Sequence, residues 1–209
     1  MSPACSFIIP VLNEADHITS CLNQLQGLRQ QGHEVIVVDG GSQDQTVQRA
    51  KENCDHLVSA CPSRSIQMNA GAAIAKGEYL FFLHVDTFLP GNVHELLELL
   101  RRERPAWGRF DIRLSGSSWP FRMIETCMNL RSAITGIATG DQVIFVRRSL
   151  FNEVGGYPSI ALMEDIAISA SLNKTARPYR IKHRVISSSR RWESKGIVKT
   201  ILTMWLLRL

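Results

Sequence analysis

The sequence predicts an α/β fold in which a mixed, mainly parallel central sheet carries helices on both faces. Three observations point there. Short apolar runs recur without polar alternation, as strands covered on both sides require. Segments with apolar residues at helical spacing separate them. Glycines or small polar residues stand where each run stops.

The first run, Ser6 to Leu12, leads to Asn13, which is placed to cap a helix whose apolar positions Ile18, Cys21, Leu22, Leu25 and Leu28 repeat every three or four residues. Gly32 ends that helix. A second run, Val35 to Val38, enters Asp39-Gly40-Gly41-Ser42, and Ser42 with Gln45 has the spacing of a capping box for the next helix. A short strand at His56 to Ser59, a helix from about Ser65 to Ala75 stopped by Gly77, and the strand Tyr79 to Leu83 continue the pattern. Beyond these come a helix from Asn92 to Glu103, a strand from Trp107 to Leu114, a helix from Trp119 to Ile134 and a strand from Val143 to Val146. A Gly155-Gly156 turn precedes a helix starting near Glu164. In open sheets of this class ligands bind beyond the carboxyl ends of the strands, where Asn13-Glu14, Asp39-Gly40 and His84-Val85-Asp86 fall. Three polar clusters are thereby expected on one rim.

The composition agrees with a folded globular chain. Of 209 residues, 44% are hydrophobic and 21% charged, which excludes a disordered chain and a coat of lipid-facing helices. No repeats, low-complexity tracts or linkers divide it, so residues 1–209 read as one domain. The net charge of +5 can attract phosphorylated ligands or an anionic surface. Nucleic acid is not expected, because no basic tract interleaved with aromatics and no nucleic-acid-binding motif is present. Five cysteines without metal-binding spacing read as free thiols in a reducing, cytoplasmic setting. No signal peptide and no run of about 20 apolar residues is found. The final segment, Ile197 to Leu209, is apolar, helix-like and flanked by basic residues, and reads either as a core-packing helix or as a peripheral membrane contact.

Four motifs then stand together in order. Ile9-Pro10-Val11-Leu12-Asn13-Glu14, Val37-Val38-Asp39-Gly40-Gly41-Ser42, Leu83-His84-Val85-Asp86-Thr87 and Glu164-Asp165 resemble, in sequence and spacing, the family 2 glycosyltransferases with the GT-A, Rossmann-like fold. Arg64-Ser65-Ile66-Gln67-Met68-Asn69-Ala70-Gly71 and Gly140-Asp141-Gln142 further resemble a bacterial subgroup described as associated with radical-SAM or selenocysteine-related proteins. The resemblance implies a donor-binding half, 1–90, and an acceptor-binding half, 91–209. It implies transfer of a sugar from a nucleotide-sugar donor to an acceptor that the sequence does not identify, with inversion at the anomeric carbon.

By the same resemblance, Pro10, Asn13, Glu14, Asp39, Gly40, Arg64, Gln67, Asn69, His84 and Arg191 are expected around the donor, and Asp141 and Trp192 on the acceptor side. Asp86, with help from His84, would hold a divalent metal, Mn²⁺ or Mg²⁺, because oxygen ligands suit hard ions that neutralise a departing diphosphate. The family usually has Asp at both ends of this three-residue motif; here the first is His84, an imidazole without charge unless protonated. Asp165, beside Glu164, matches the catalytic base. Plainer readings stand beside these. Asn13 and Glu14 also suit a helix start, Asp39-Gly40 a turn, Arg64 and Arg191 a solvated face, His84 a strand end, and Glu164-Asp165 a favourable first helical turn. A degenerate homologue that binds the donor without turnover, or a nucleotidyl transferase, are the rival functions.

Overall fold

The computed structural model describes residues 4–91, 93–190 and 193. Strand β1 (Cys5–Val11) lies in parallel between β2 (Glu34–Asp39) and β4 (Tyr79–Phe82), and β3 (His56–Ser59) extends the sheet beyond β2. The parallel connections are made by α1 (Ala15–Asn23) with α2 (Gln26–Gln30), by α3 (Thr46–Ala50) and by α4 (Arg64–Ile74). The second half is mixed. A two-residue strand, β5 (Thr87–Phe88), and α5 (Val93–Glu103) lead to β6 (Trp107–Leu114), and α6 (Trp119–Thr135) to β7 (Ile144–Arg147). After α7 (Arg148–Glu153) and α8 (Glu164–Thr175), β8 (Tyr179–Ser187) returns. β7 runs antiparallel to β4 and β6, while β6 and β8 are parallel, giving the order β3-β2-β1-β4-β7-β6-β8-β5.

Both faces of the sheet are covered, as unalternating strands require. Phe7, Ile9 and Val11 of β1, Val35 and Val37 of β2, and Tyr79 and Phe81 of β4 join one core with α1, α2 and α5. Ile8, Ile36, Val38, Leu80 and Phe82 join the other with α4, α7 and α8. Phe81 lies between Phe7 and Phe145, with ring centroids 4.9 and 5.4 Å away, so an aromatic row crosses β1, β4 and β7.

Several local expectations are corrected. The first helix is split into α1 and α2 before Gly32, whose φ of +86° ends it. Asn13 does not cap α1; Glu14 is the N-cap residue and makes no side-chain cap. The Ser42-Gln45 capping box does not form, because α3 begins only at Thr46 and Gln45 makes no cap bond. The capping box that does form joins Thr139 and Gln142 around the 3₁₀ turn Gly140–Gln142. Of the cysteines, Cys5, Cys21 and Cys54 are buried, while Cys61 and Cys127 are exposed. Among the described residues no helix is long and apolar enough to cross a membrane. Arg191, Trp192 and the segment Ile197 to Leu209 lie outside the described residues.

Candidate active site

The rim begins where β1 and β2 end. Asn13 sits at φ +53°, a left-handed conformation that Asn tolerates better than most residues. Its N–H donates to Ser42 Oγ at 2.9 Å, and its side-chain oxygen accepts the Gln43 N–H at 2.8 Å. The Glu14 N–H donates to Thr46 Oγ1 at 2.7 Å and the Ala15 N–H to Asp44 Oδ2 at 3.1 Å. The loop after β2 therefore satisfies the opening N–H groups of the first helix, a job usually done by the N-cap side chain. Asp39 is 4% exposed, and its carboxylate accepts the N–H groups of Gly41 at 3.0 Å and Ser42 at 3.1 Å around a turn that needs Gly41 at φ +96°.

Two α4 side chains turn inward. The Gln67 amide donates to the carbonyls of Val11 and Val38, both at 2.8 Å, and bridges the ends of β1 and β2 beside Gly40. Asn69 makes a reciprocal pair with the Tyr157 backbone, donating to its carbonyl at 2.8 Å and accepting its N–H at 2.9 Å. These amides are bonded to the protein's own backbone. Arg64, at the start of α4, is exposed, and Pro10 is half-buried in register with Val38.

Around this frame stands a group of charges. Arg190 Nη2 is 3.9 Å from Glu14 Oε2, and its other amino group meets His17 Nε2. Partial burial raises the Glu14 carboxyl above its ordinary range, against the pull of Arg190, His17 and Arg64, while Asp86 pushes it further up. Glu14, His17, Arg64, Asp86 and Arg190 thus share one electrostatic neighbourhood. Asp86 is half-buried in the turn between β4 and β5, next to a pocket of about 190 Å³ bounded by His17, Ser115, Phe88, Ser187 and Ser188.

A second group is built from the end of β4, the turn before β7 and the start of α8. His84 Nδ1 lies 3.4 Å from Asp141 Oδ1, and the His84 ring abuts Gly140. The Gly140 N–H donates to Asp165 Oδ2 at 2.7 Å, and the Ile166 N–H to Asp165 Oδ1 at 2.8 Å. Asp165 and His84 are therefore linked through one glycine. Glu164 is 7% exposed and faces inward; its charge and that of Asp165 add to the burial that pushes the Tyr157 phenol well above its ordinary value. Backbone strain gathers here too: Val143 at φ +49° follows the Gly140–Gln142 turn, and Met163 at φ +66° precedes Glu164. For a β-branched residue such as Val143 that conformation is an outlier, and such outliers cluster at functional sites.

The structure thus gathers Glu14, Arg64 and Asp86 into one charged neighbourhood, next to the turn of Asp39 and Gly40, and sets His84, Asp141 and Asp165 along a second wall that follows β4. Sequence reasoning did not single out His17 or the Ser42, Asp44 and Thr46 clamp. His17 lies one helical turn beyond Asn13, and that spacing was the available signal. Among the described residues, no three His, Cys, Asp or Glu side chains stand close enough to hold a cation by themselves.

Comparison with known proteins bears on the family and the fold. The chain is 30% identical over 145 residues to an uncharacterised glycosyltransferase, YibD, of Escherichia coli K12, an alignment covering 65% of this chain and 41% of that protein. It is 24% identical over 201 residues to the poly-β-1,6-N-acetyl-D-glucosamine synthase of Staphylococcus aureus MSSA476, covering 87% of this chain and 48% of the synthase. The chain therefore spans less than half the length of these curated relatives. Among solved structures, S. aureus TarS 1-349 superposes with a TM-score of 0.73 at 19% identity, covering 89% of this chain and 60% of that one. The mannosyltransferase PcManGT of Pyrobaculum calidifontis, solved with GDP-Man and Mn²⁺, gives 0.68 at 20%, covering 90% and 57%. These likenesses establish the GT-A fold. Since the pattern "Glycosyl transferase family 2" matches residues 6–155, most of the chain, including Glu14, Asp39, His84, Asp86 and Asp141, the chain belongs to glycosyl transferase family 2.

Proposed function

We propose that this domain transfers a sugar from a nucleotide-sugar donor to an acceptor hydroxyl, with inversion at the anomeric carbon and Asp165 as the base. The observation that carries this reading is the linkage of Asp165 to the donor-side motif through Gly140, 2.7 Å from Asp165 Oδ2. In the proposed reaction Asp165 takes the acceptor hydroxyl proton, the freed oxygen bonds to the anomeric carbon, and the bond from that carbon to the diphosphate breaks on the opposite face. The two N–H groups bonded to Asp165 fix its rotamer, and a carboxylate has further lone pairs to accept the substrate proton. Relatives whose structures were solved with UDP-GlcNAc or GDP-Man support the donor class.

On the donor side, Glu14, Asp39 and Gly40 would surround the nucleoside, with Gln67 and Asn69 holding the loops that present them. Arg64 and Arg190 would face the diphosphate, a role suited to guanidinium groups; Arg191 is proposed there and Trp192 at the acceptor on sequence grounds. Asp86 and His84 would hold a divalent cation, Mn²⁺ or Mg²⁺, which when bound supplies counter-charge to the leaving diphosphate. One carboxylate and one imidazole fit such an ion when phosphate oxygens complete its shell, and the edge of His84 at Nε2 opens where Gly140 has no side chain. The kinship with the radical-SAM or selenocysteine-associated subgroup rests on motifs alone. Contact of residues 197–209 with a membrane surface belongs to the same proposal and is read by flotation with anionic vesicles.

A thermal-shift screen of nucleotide sugars with and without Mn²⁺ identifies the donor, because a ligand that binds only the folded state raises its stability. With that donor, Asp86→Ala and Asp165→Asn are each expected to abolish transfer while leaving donor-free melting unchanged. Near-normal turnover in either would refute its assigned role. A second reading, a donor-binding homologue without turnover, draws on His84 in place of an acid; heat of binding without nucleoside diphosphate release would establish it.

A further inference from the structure

The imidazole of His84 stands two residues before Asp86, and its two edges are in different surroundings. At one edge Nδ1 is 3.4 Å from Asp141 Oδ1, with the imidazole 14% exposed and the carboxylate 34%. At the other, a Cβ added to Gly140 would fall 2.4 Å from Cε1 and 2.5 Å from Nε2. The ring edge lies against Gly140, and only glycine leaves room for it. Gly140 is itself held by the bond from its N–H to Asp165. A carboxylate facing Nδ1 favours the tautomer with its proton there, which leaves the lone pair on Nε2, at the edge that Gly140 keeps free of a side chain. Carboxylate-backed histidines are the common arrangement for ligating imidazoles, because the partner fixes the ring and raises its basicity.

We propose that Asp141 is a positioning residue for His84: it holds the imidazole as the Nδ1–H tautomer, and supplies the negative charge that a neutral imidazole lacks, so that Nε2 is presented to a divalent cation beside Asp86. This rests on reading Asp86 and His84 as the metal side of the site, and it gives Asp141 a role other than touching the acceptor. It also explains the glycine at 140. The same residue clears the Nε2 edge of His84 and bonds Asp165, so the metal side and the base side are set by one turn.

Two measurements that need no turnover test it. Nitrogen chemical shifts of ¹⁵N-histidine-labelled protein, without metal, report the His84 tautomer; the Nδ1–H form is expected in the wild type, and a shift toward Nε2–H in Asp141→Ala. Mn²⁺ binding, followed by loss of the free-ion electron paramagnetic resonance signal with inorganic pyrophosphate present, is expected to weaken about 10- to 100-fold in Asp141→Ala. Asp141→Asn, which keeps the size and an acceptor atom, should fall between the two and guards against misfolding as the cause. In a His84→Asp background, where no imidazole needs orienting, Asp141→Ala should leave Mn²⁺ affinity within about twofold, since ordinary outer-sphere losses are larger. An unchanged tautomer in Asp141→Ala overturns the proposal, as does an equal loss of affinity in the His84→Asp background. Mn²⁺ uptake lost in Asp86→Ala but kept in Asp141→Ala overturns the proposal alone, and no uptake by the wild type overturns the metal reading with it.

Discussion

Replacing Gln67 by Met should loosen the donor rim from behind, through its hold on the backbone of β1 and β2. Gln67 is 3% exposed and spends its amide on the carbonyls of Val11 and Val38, each 2.8 Å away. Met conserves length and apolar volume but donates nothing. The Val11 carbonyl keeps a second partner, the Gly40 N–H at 2.9 Å, so the loss there is near the ordinary net value of about 1 kcal/mol. The buried Val38 carbonyl likewise stays in the parallel ladder, where Val11 is paired with Asp39, so the loss there is again about 1 kcal/mol. The sum, about 1–3 kcal/mol, is a sizeable part of a typical domain's stability. Urea denaturation reads it: with a slope of about 2 kcal/mol per molar, the midpoint should fall by about 0.5–1.5 M with the slope unchanged. Below the transition, nucleotide-sugar affinity should fall as well, because the turns after Val11 and Val38 carry Glu14 and Asp39. A midpoint equal to that of the wild type, or a loss of affinity without loss of stability, would refute the bridging role.

Gly71→Ala sets a helix-propensity gain of about 1 kcal/mol against a Cβ that would sit 2.5 Å from Ile8 Cγ2 and 3.0 Å from Val38 Cγ2. Overpacking at about 1–3 kcal/mol should win, so thermal melting is expected to fall; a rise would show that α4 can lift off the sheet. His33 is 7% exposed and its Nδ1 accepts the Cys5 N–H at 3.2 Å, so burial holds the imidazole below its ordinary value of 6.5. The unfolded chain then binds more protons, so this contribution is complete above about 6.5 and is lost as pH falls toward the folded value. His33→Asn should remove that slope from a series of denaturation midpoints, and an unaltered slope would count against it. Asp111 works at a lower pH. Burial would raise its carboxyl, but hydrogen bonds from Arg180 and Arg109 outweigh burial and hold it below its ordinary 3.8, so its contribution is present above that value and lost below it. Asp111→Asn leaves Arg109, 1% exposed, without its main counter-charge and should cost about 3–5 kcal/mol; a loss under about 1 kcal/mol in urea would show that Arg109 finds another partner.

The first half of the fold was legible because β1, β2 and β4 are buried on both faces and so write unbroken apolar runs. Strand β6 was found but its chemistry was not. Phe110, Ile112 and Leu114 alternate with Arg109, Asp111 and Arg113, which reads as one wet face, yet Arg109 and Asp111 are 1% and 6% exposed. What buries them is Arg180, Asn129 and the parallel neighbour β8, partners far along the chain that no local pattern encodes. The same holds for the rim. Glu14, Asp39 and Asp86 were legible as polar residues after apolar strands. That Asn13 would be tied to Ser42 and Gln43, and Gln67 turned inward, depends on pairings of about thirty residues or more. The facing of Asp141 on His84 is of that kind too, since local spacing sets neither side chain's neighbour.

The clamp that Ser42, Asp44 and Thr46 place on the start of α1 has a consequence for biosynthesis. The stretch carrying Glu14 leaves the ribosome before the atoms that fix its backbone, and a nascent chain ending before Thr46 has the glutamate without the hydroxyl that holds its N–H. A helix of nine residues is too short to persist alone in water. The beginning of α1 should therefore settle only when the β2 turn arrives, so the two turns of this rim mature as one unit in the order of synthesis.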